Sequence, residues 1–179
     1  MDLFTLNFLL SLGGLGLLAV TVVLFIDYIW NHSTLYKQFV HAFVWPIIVV
    51  VTVGSVVLSL VYSEYFGFIP CSLCWLQRIA LYPQALFAVM AARTQERIFF
   101  PLYSIALSIA GLLVAMYHYV YQIVPKGVSG EGIMPCLADG SADCGAKIID
   151  QFGFVTFPLL AAITFAFLIV LYLNLRRIK

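Results

Sequence analysis

Four cysteines fall into two pairs in a 179-residue chain that is otherwise almost wholly apolar. Cys71-Ser72-Leu73-Cys74 lies where a loop meets the start of a hydrophobic stretch, and Cys136 and Cys144 lie in the longest polar segment. Two residues between cysteines let the thiols close a disulfide or hold a metal. Two such pairs on one face of a membrane suggest a relay. Thiols outside would pass electrons to thiols at the lipid boundary, and something dissolved in the lipid would take them. Two other chemistries stay open: inert disulfides that pin a loop to a helix, or a zinc site made by all four cysteines. Such zinc sites usually belong to small soluble ribbons or fingers, whereas one pair here begins a membrane helix.

Polar residues near the first pair extend the redox reading. Cys74 falls in the first turn of the predicted helix, where partial positive charge and free N–H groups favour the reactive thiolate. Pro70 suits a sharp entry into that helix. Arg78, four residues on, shares the face of Cys74 about 6 Å deeper. A charge within a span is expensive and usually functional, although a side chain this near the boundary also has the option of snorkelling to water. His118 lies about 9 Å inside the outer end of the fourth apolar segment, a depth matching Arg78. Together they would line one pocket for a quinone headgroup, with two carbonyl oxygens that need donors and a tail that stays in lipid. The bland reading of His118 is a hydrogen bond between helices. Pro83 has no assigned role.

These residues need a scaffold, and composition dictates a membrane one. Hydrophobic residues make up 64% of the chain, charged residues 9%, and mean hydropathy is +1.07. So few charges would not cover a soluble surface. The net charge of +1 and the lack of a long basic run give no reason to expect a nucleic-acid partner. A span needs about 20 apolar residues, and five segments qualify: Phe4–Trp30, Ala42–Tyr62, Leu73–Ala92, Ile98–Val124 and Phe154–Leu173. All read as helices, since only helices or closed barrels satisfy a backbone in lipid. Lys37, Arg93, Arg97, Arg176, Arg177 and Lys179 all fall on one side, which the positive-inside rule makes cytoplasmic. The N-terminus, the Glu64 loop and the loop 125–153 then lie outside. In that loop Lys126 and Lys147 face Glu131, Asp139, Asp143 and Asp150. All four cysteines thus fall on or near the outer face, where disulfides persist. Trp30, Trp45, Tyr62, Tyr65 and Trp75 sit near span ends and read as an aromatic belt. Gly13, Gly14 and Gly16 read as a close helix contact.

The run Cys71-Ser-Leu-Cys74-Trp-Leu-Gln77-Arg78-Ile-Ala-Leu-Tyr82-Pro83 resembles the thiol-oxidase motif of the DsbB family, closest to its BdbC-type branch. Met116-Tyr117-His118-Tyr119 is similar to that branch's histidine-containing helix, and Phe152-Gly153-Phe154-Val155-Thr156-Phe157-Pro158 to the start of its last helix. The resemblance implies a bacterial inner or plasma membrane thiol:quinone oxidoreductase. Such a protein reoxidises a secreted or periplasmic thioredoxin-like disulfide donor and passes electrons to ubiquinone or menaquinone. It implies the redox disulfides Cys71–Cys74 and Cys136–Cys144. Cys74 would face the quinone, Cys136 would take the mixed disulfide with the partner, and Cys144 would exchange with Cys71. Arg78, His118 and Gln77 would bind the quinone, and no metal is implied.

The expected architecture is an all-α four-helix transmembrane bundle, residues 42–179, preceded by an additional N-terminal span and linker, residues 1–41. The family core has four spans, so the first is a departure. So is the short segment between Cys136 and Cys144. One rival is a quinone- or epoxide-reducing enzyme like vitamin K epoxide reductase, whose loop cysteines precede its Cys-x-x-Cys; here they follow it. The other is a non-catalytic membrane protein with structural disulfides or a zinc site.

Overall fold

The structure, a computed structural model, describes residues 2–30, 34–123 and 144–177. Five helices carry it: α1 Leu3–Trp30, α2 Thr34–Leu60, α3 Ser72–Thr94, α4 Phe99–Ile123 and α5 Phe157–Arg177. The last turn of α2 widens into a π-helical turn over Val61–Tyr65. Among the described residues the only extended pairing is an isolated bridge between Gln151 and Val155. The chain is an all-helical membrane bundle. Cys136 and most of the charges of the loop 125–153 lie outside the described residues.

Four of the helices, α1, α2 from Phe43 onward, α4 and α5, are long and apolar enough to cross a membrane by length and composition alone. The expected third span falls short on composition. At 23 residues α3 is long enough, about 34 Å at 1.5 Å per residue. Its apolar content is diluted by Gln77, Arg78 and Gln84, and all three are buried inside the bundle. Lipid therefore meets the remaining face, with Ile79, Leu86, Phe87 and Met90 exposed.

The helices α2, α3, α4 and α5 pack in sequence, and α5 also meets α2 and α1. A core of Val44, Ile48, Ala88, Phe100, Leu168, Leu171, Tyr172 and Leu175 fills the bundle away from the cysteines. There Gln84 Oε1 accepts hydrogen bonds from Ser108 Oγ and Tyr172 OH, each at 3.0 Å. This three-helix polar tie suits a lipid setting, where apolar contact with lipid competes with apolar contact between helices.

α1 runs parallel to α5. Near its start, Asn7 accepts from Tyr62 OH and donates to Ile148 O at 3.3 Å. Midway, Gly14 sits under Leu160. Near its end, the carbonyl of Tyr28 accepts from Arg177 Nη1 at 2.7 Å, and the guanidinium lies over the Tyr28 ring.

Two sequence expectations change. Only Gly14 of the α1 glycines makes a close contact; a Cβ at Gly13 or Gly16 would meet nothing within 4 Å. Trp45 and Tyr62 are not belt residues, since both are buried, with Trp45 stacked near Phe100 and Tyr62 edge-on to Phe157. Trp30, Tyr65 and Trp75 are exposed, as a belt requires. The second helix begins at Thr34, before its apolar run, and its membrane-length segment Phe43–Tyr65 agrees with the expected span Ala42–Tyr62.

Candidate redox site

Cys71 is the N-cap of α3. Its backbone is extended and its sulfur accepts the Cys74 N–H at 3.4 Å. The cap side chain folds back over the first turn and collects an otherwise orphaned N–H. That modifies the expectation that the helix start would serve Cys74: the donor is aimed at Cys71. The two sulfurs are unbonded and 3.0 Å apart. Cys71 precedes the span, and its thiol is held well below the usual thiol range. The Cys74 thiol donating to it does most, with His118 adding a second contact, against the opposing effect of burial.

His118 reaches this pair from α4. Its Nε2 lies 3.9 Å from Cys71 Sγ and 3.0 Å from Cys144 O. On the other side Gln77 Nε2 lies 3.2 Å from Nδ1. With the Gln77 amide donating to Nδ1, the ring carries its proton on Nε2 and donates to the Cys144 carbonyl. Gln122, one turn further along α4, donates from Nε2 to Cys144 O at 3.2 Å and to Ala146 O at 3.1 Å. Two α4 side chains thus clamp the start of the returning loop. Downstream, that loop turns at Phe152 and Gly153, both with positive φ, and buries Ile149 and Val155.

Cys144 is held in a disulfide. Its sulfur, the Cys71 sulfur and a His118 ring nitrogen all lie within 4.8 Å of one another. A disulfide sulfur is no thiolate donor for a metal; this proximity instead suits exchange between sulfurs.

Arg78 takes a different neighbour from the one at matching depth. Its Nε donates to Ser59 Oγ and its Nη2 to Ser59 O, both at 2.9 Å. Ser59 lies just before the π-helical turn of α2, a distortion found often at functional sites. The guanidinium also lies 5.2 Å from the Trp75 ring centroid. Arg78 therefore bridges α3 to α2, while His118 and Gln77 bridge α3 to α4.

All these side chains open onto one cavity of about 670 Å³. Its polar end is formed by Cys71, Cys74, Gln77, Arg78, His118 and Ser59. The rest is mostly apolar, running between α1, α2 and α5. Ligand pockets typically measure about 300–1,000 Å³ and combine an apolar lining with a few convergent polar groups. Of the expected site residues, the structure brings Cys71, Cys74, Cys144, Gln77, Arg78 and His118 together around this cavity, and Cys136 lies outside the described residues. Sequence reasoning missed Ser59 and Gln122, and the only available signal was their polarity inside apolar runs.

Fold and site define a multi-pass helical membrane protein with a dithiol set beside a disulfide at the mouth of an apolar cavity. The family model described as disulfide bond formation protein DsbB matches residues 41–175, and the chain belongs to the DsbB family. It is 38% identical over 121 residues to a probable disulfide formation protein of Oceanobacillus iheyensis, covering 66% of this chain and 79% of the relative. It is 37% identical over 127 residues to disulfide bond formation protein C of Bacillus subtilis, covering 70% and 84%. With a probable disulfide formation protein of Chlamydia caviae it shares 35% over 109 residues, covering 61% and 74%. No solved structure gives a significant match. The chain is accordingly a bacterial inner-membrane protein with an oxidoreductase role in disulfide bond formation.

Proposed function

We propose that the chain is a thiol:quinone oxidoreductase that reoxidises an extracytoplasmic thioredoxin-like donor. The observation that carries this reading is the juxtaposition of a reduced Cys71/Cys74 pair, the Cys144 disulfide sulfur within exchange reach, and a cavity whose polar end begins at Cys74. The cysteine end of the bundle faces the outer compartment, and Arg93, Arg176 and Arg177 lie at the opposite ends of their helices.

The donor's dithiol attacks the Cys136–Cys144 disulfide, forming a mixed disulfide at Cys136. Its second thiol releases the oxidised donor and leaves Cys136 and Cys144 reduced. Cys144 then attacks the Cys71–Cys74 disulfide at Cys71. Closure of Cys136–Cys144 leaves Cys71 and Cys74 as the dithiol. Each exchange moves two electrons and two protons and conserves sulfur bonds. Arg78, His118 and Gln77 would hold a quinone at the polar end, which would supply the two-electron, two-proton acceptor for the Cys71/Cys74 dithiol as that disulfide closes.

The chain's residues fit that acceptor. Attack of Cys144 at Cys71 expels Cys74 as the leaving thiolate, and Cys74 lines the cavity. Arg78, pinned by Ser59, offers positive charge and N–H groups at the polar end, and the Nε2–H tautomer of His118 holds the Cys144 carbonyl. Gln77 fixes that tautomer. Absorbance of quinone mixed with purified protein and a reduced thioredoxin-like donor tests the reading. Catalytic quinone loss matched to donor oxidation is expected. Donor oxidation that proceeds at the same rate without quinone would overturn it.

A further inference from the structure

The apolar end of the cavity is walled partly by a helix that the family match leaves out. The match begins at residue 41, yet Leu9, Leu10, Gly13, Gly14 and Leu17 of α1 line the cavity. On α2 the lining runs from Tyr62 to Val50, about 18 Å along the helix axis. A headgroup beside Cys74 and Arg78 fills only the first part of that length.

Two glycines mark the remainder. Gly13 and Gly54 both line the cavity, and a Cβ added at either meets nothing within 4 Å. Glycine in a membrane helix ordinarily lets another backbone approach; at these positions it leaves width. The wall is also fixed. Asn7 ties α1 to Tyr62 and Ile148 at one end, and the Tyr28 carbonyl ties it to Arg177 of α5 at the other.

We infer that α1, together with α2 and α5, forms a channel for the isoprenoid tail of the quinone, with Gly13 and Gly54 setting its bore. The inference rests on the quinone reading of the Cys74 end. The occupant is a tail and not a phospholipid acyl chain, because the apolar stretch is continuous with the end lined by Cys74 and Arg78, where the quinone reading puts the headgroup. The N-terminal helix is therefore part of the binding site, and it makes the enzyme prefer tail-bearing over ring-only quinones.

Gly54→Leu and Gly13→Leu narrow the channel without touching a redox residue. Each is expected to raise the apparent KM for a decyl- or prenyl-substituted quinone about tenfold, the loss when about two tail methylenes leave the wall. The KM for a ring-only quinone and kcat should not move. An unchanged KM for the tailed quinone, or an equal rise for both quinones, would overturn the channel. Photolabelling of the wild-type protein avoids any folding defect in the variants. A quinone with a diazirine at its tail end should label residues 9–17 and 50–58, and excess unlabelled tailed quinone should abolish the label. Label that quinone does not displace assigns the groove to lipid and rejects the inference. A wild-type protein that reduces neither quinone rejects the underlying function, a result readily told apart from the others.

Discussion

The two flanks of α5 use small residues for opposite ends. On the α4 side, Gly111 lies against the buried ring of Phe165, with Ala115 and Ala162 beside it, and the helices close without a gap. On the α1 and α2 side, Gly13 and Gly54 face the cavity with nothing in reach. The first seam gives rigidity to the helix that carries His118 and Gln122. The second gives volume to the site those residues serve. A glycine in a membrane helix thus has no fixed meaning, and only what faces it tells contact from space.

The largest effect is expected at the polar end of the open flank. Cys74→Ala should reduce donor-dependent quinone reduction to background while leaving a mixed disulfide with the donor able to form at the other pair, detected on non-reducing gels. Full turnover in Cys74→Ala would remove the dithiol from the mechanism.

On the closed flank, Gly111→Val places methyl groups within the Phe165 ring, and overpacking of this kind costs about 1–3 kcal/mol. For a chain of this size that lowers the midpoint of thermal unfolding in detergent by roughly 2–12 °C. Gly54→Ala, into open space, should shift it by no more than about 2 °C. Equal shifts in the two variants would erase the contrast between flanks.

The pH dependence of Cys71 sharpens the comparison. Hydrogen bonds to its sulfur lower the pKa, so the thiolate persists to lower pH than in an ordinary thiol. In the reduced Cys136→Ala/Cys144→Ala protein, alkylation of Cys71 should stay fast well below the ordinary thiol pKa of about 8.5. His118→Ala removes one donor and raises the pKa, so the rate should begin to fall about one pH unit higher than with His118 present. An identical profile would leave Cys74 as the only group holding the thiolate.

The smallest effect belongs to Gln122. Gln122→Ala removes two hydrogen bonds to the Cys144 and Ala146 carbonyls. Losing about 1 kcal/mol of docking should slow exchange between the cysteine pairs about fivefold, measured by quenched-flow thiol trapping. The quinone step in the Cys71/Cys74 pair should be unaffected; slowing of that step would place Gln122 at the wrong end of the site.

Much of this was legible in the sequence, for definite reasons. Long apolar runs mark helices because lipid leaves few other ways to satisfy a backbone, and a cysteine pair, an arginine and a histidine in such runs stand out against composition. What was hidden depends on rotation about a helix axis. Ser59, Gln122, Asn7 and Gly54 are single residues in apolar runs, and nothing local tells which neighbour each faces. Tyr62 and Trp45 were misread because an amphipathic ring near a span end suits a core as well as a headgroup layer. Cys71, not Cys74, receives the α3 N–H because the cap side chain bends back over the turn it opens, a geometric fact that spacing alone does not convey.

The pairing of α1 with α5 has a consequence for how the protein is made. The wall of the cavity joins α1 to α5, which is synthesised much later, and the bond from Arg177 to Tyr28 spans 149 residues. Until α5 enters the membrane, α1 lacks its partner along almost its whole length and the cavity lacks one side. The dithiol of α3 is complete well before then but has no enclosed chamber beside it. On the proposed quinone reading, redox competence would arrive only with α5, and a nascent chain halted before Phe157 would hold its cysteines without a place to discharge them.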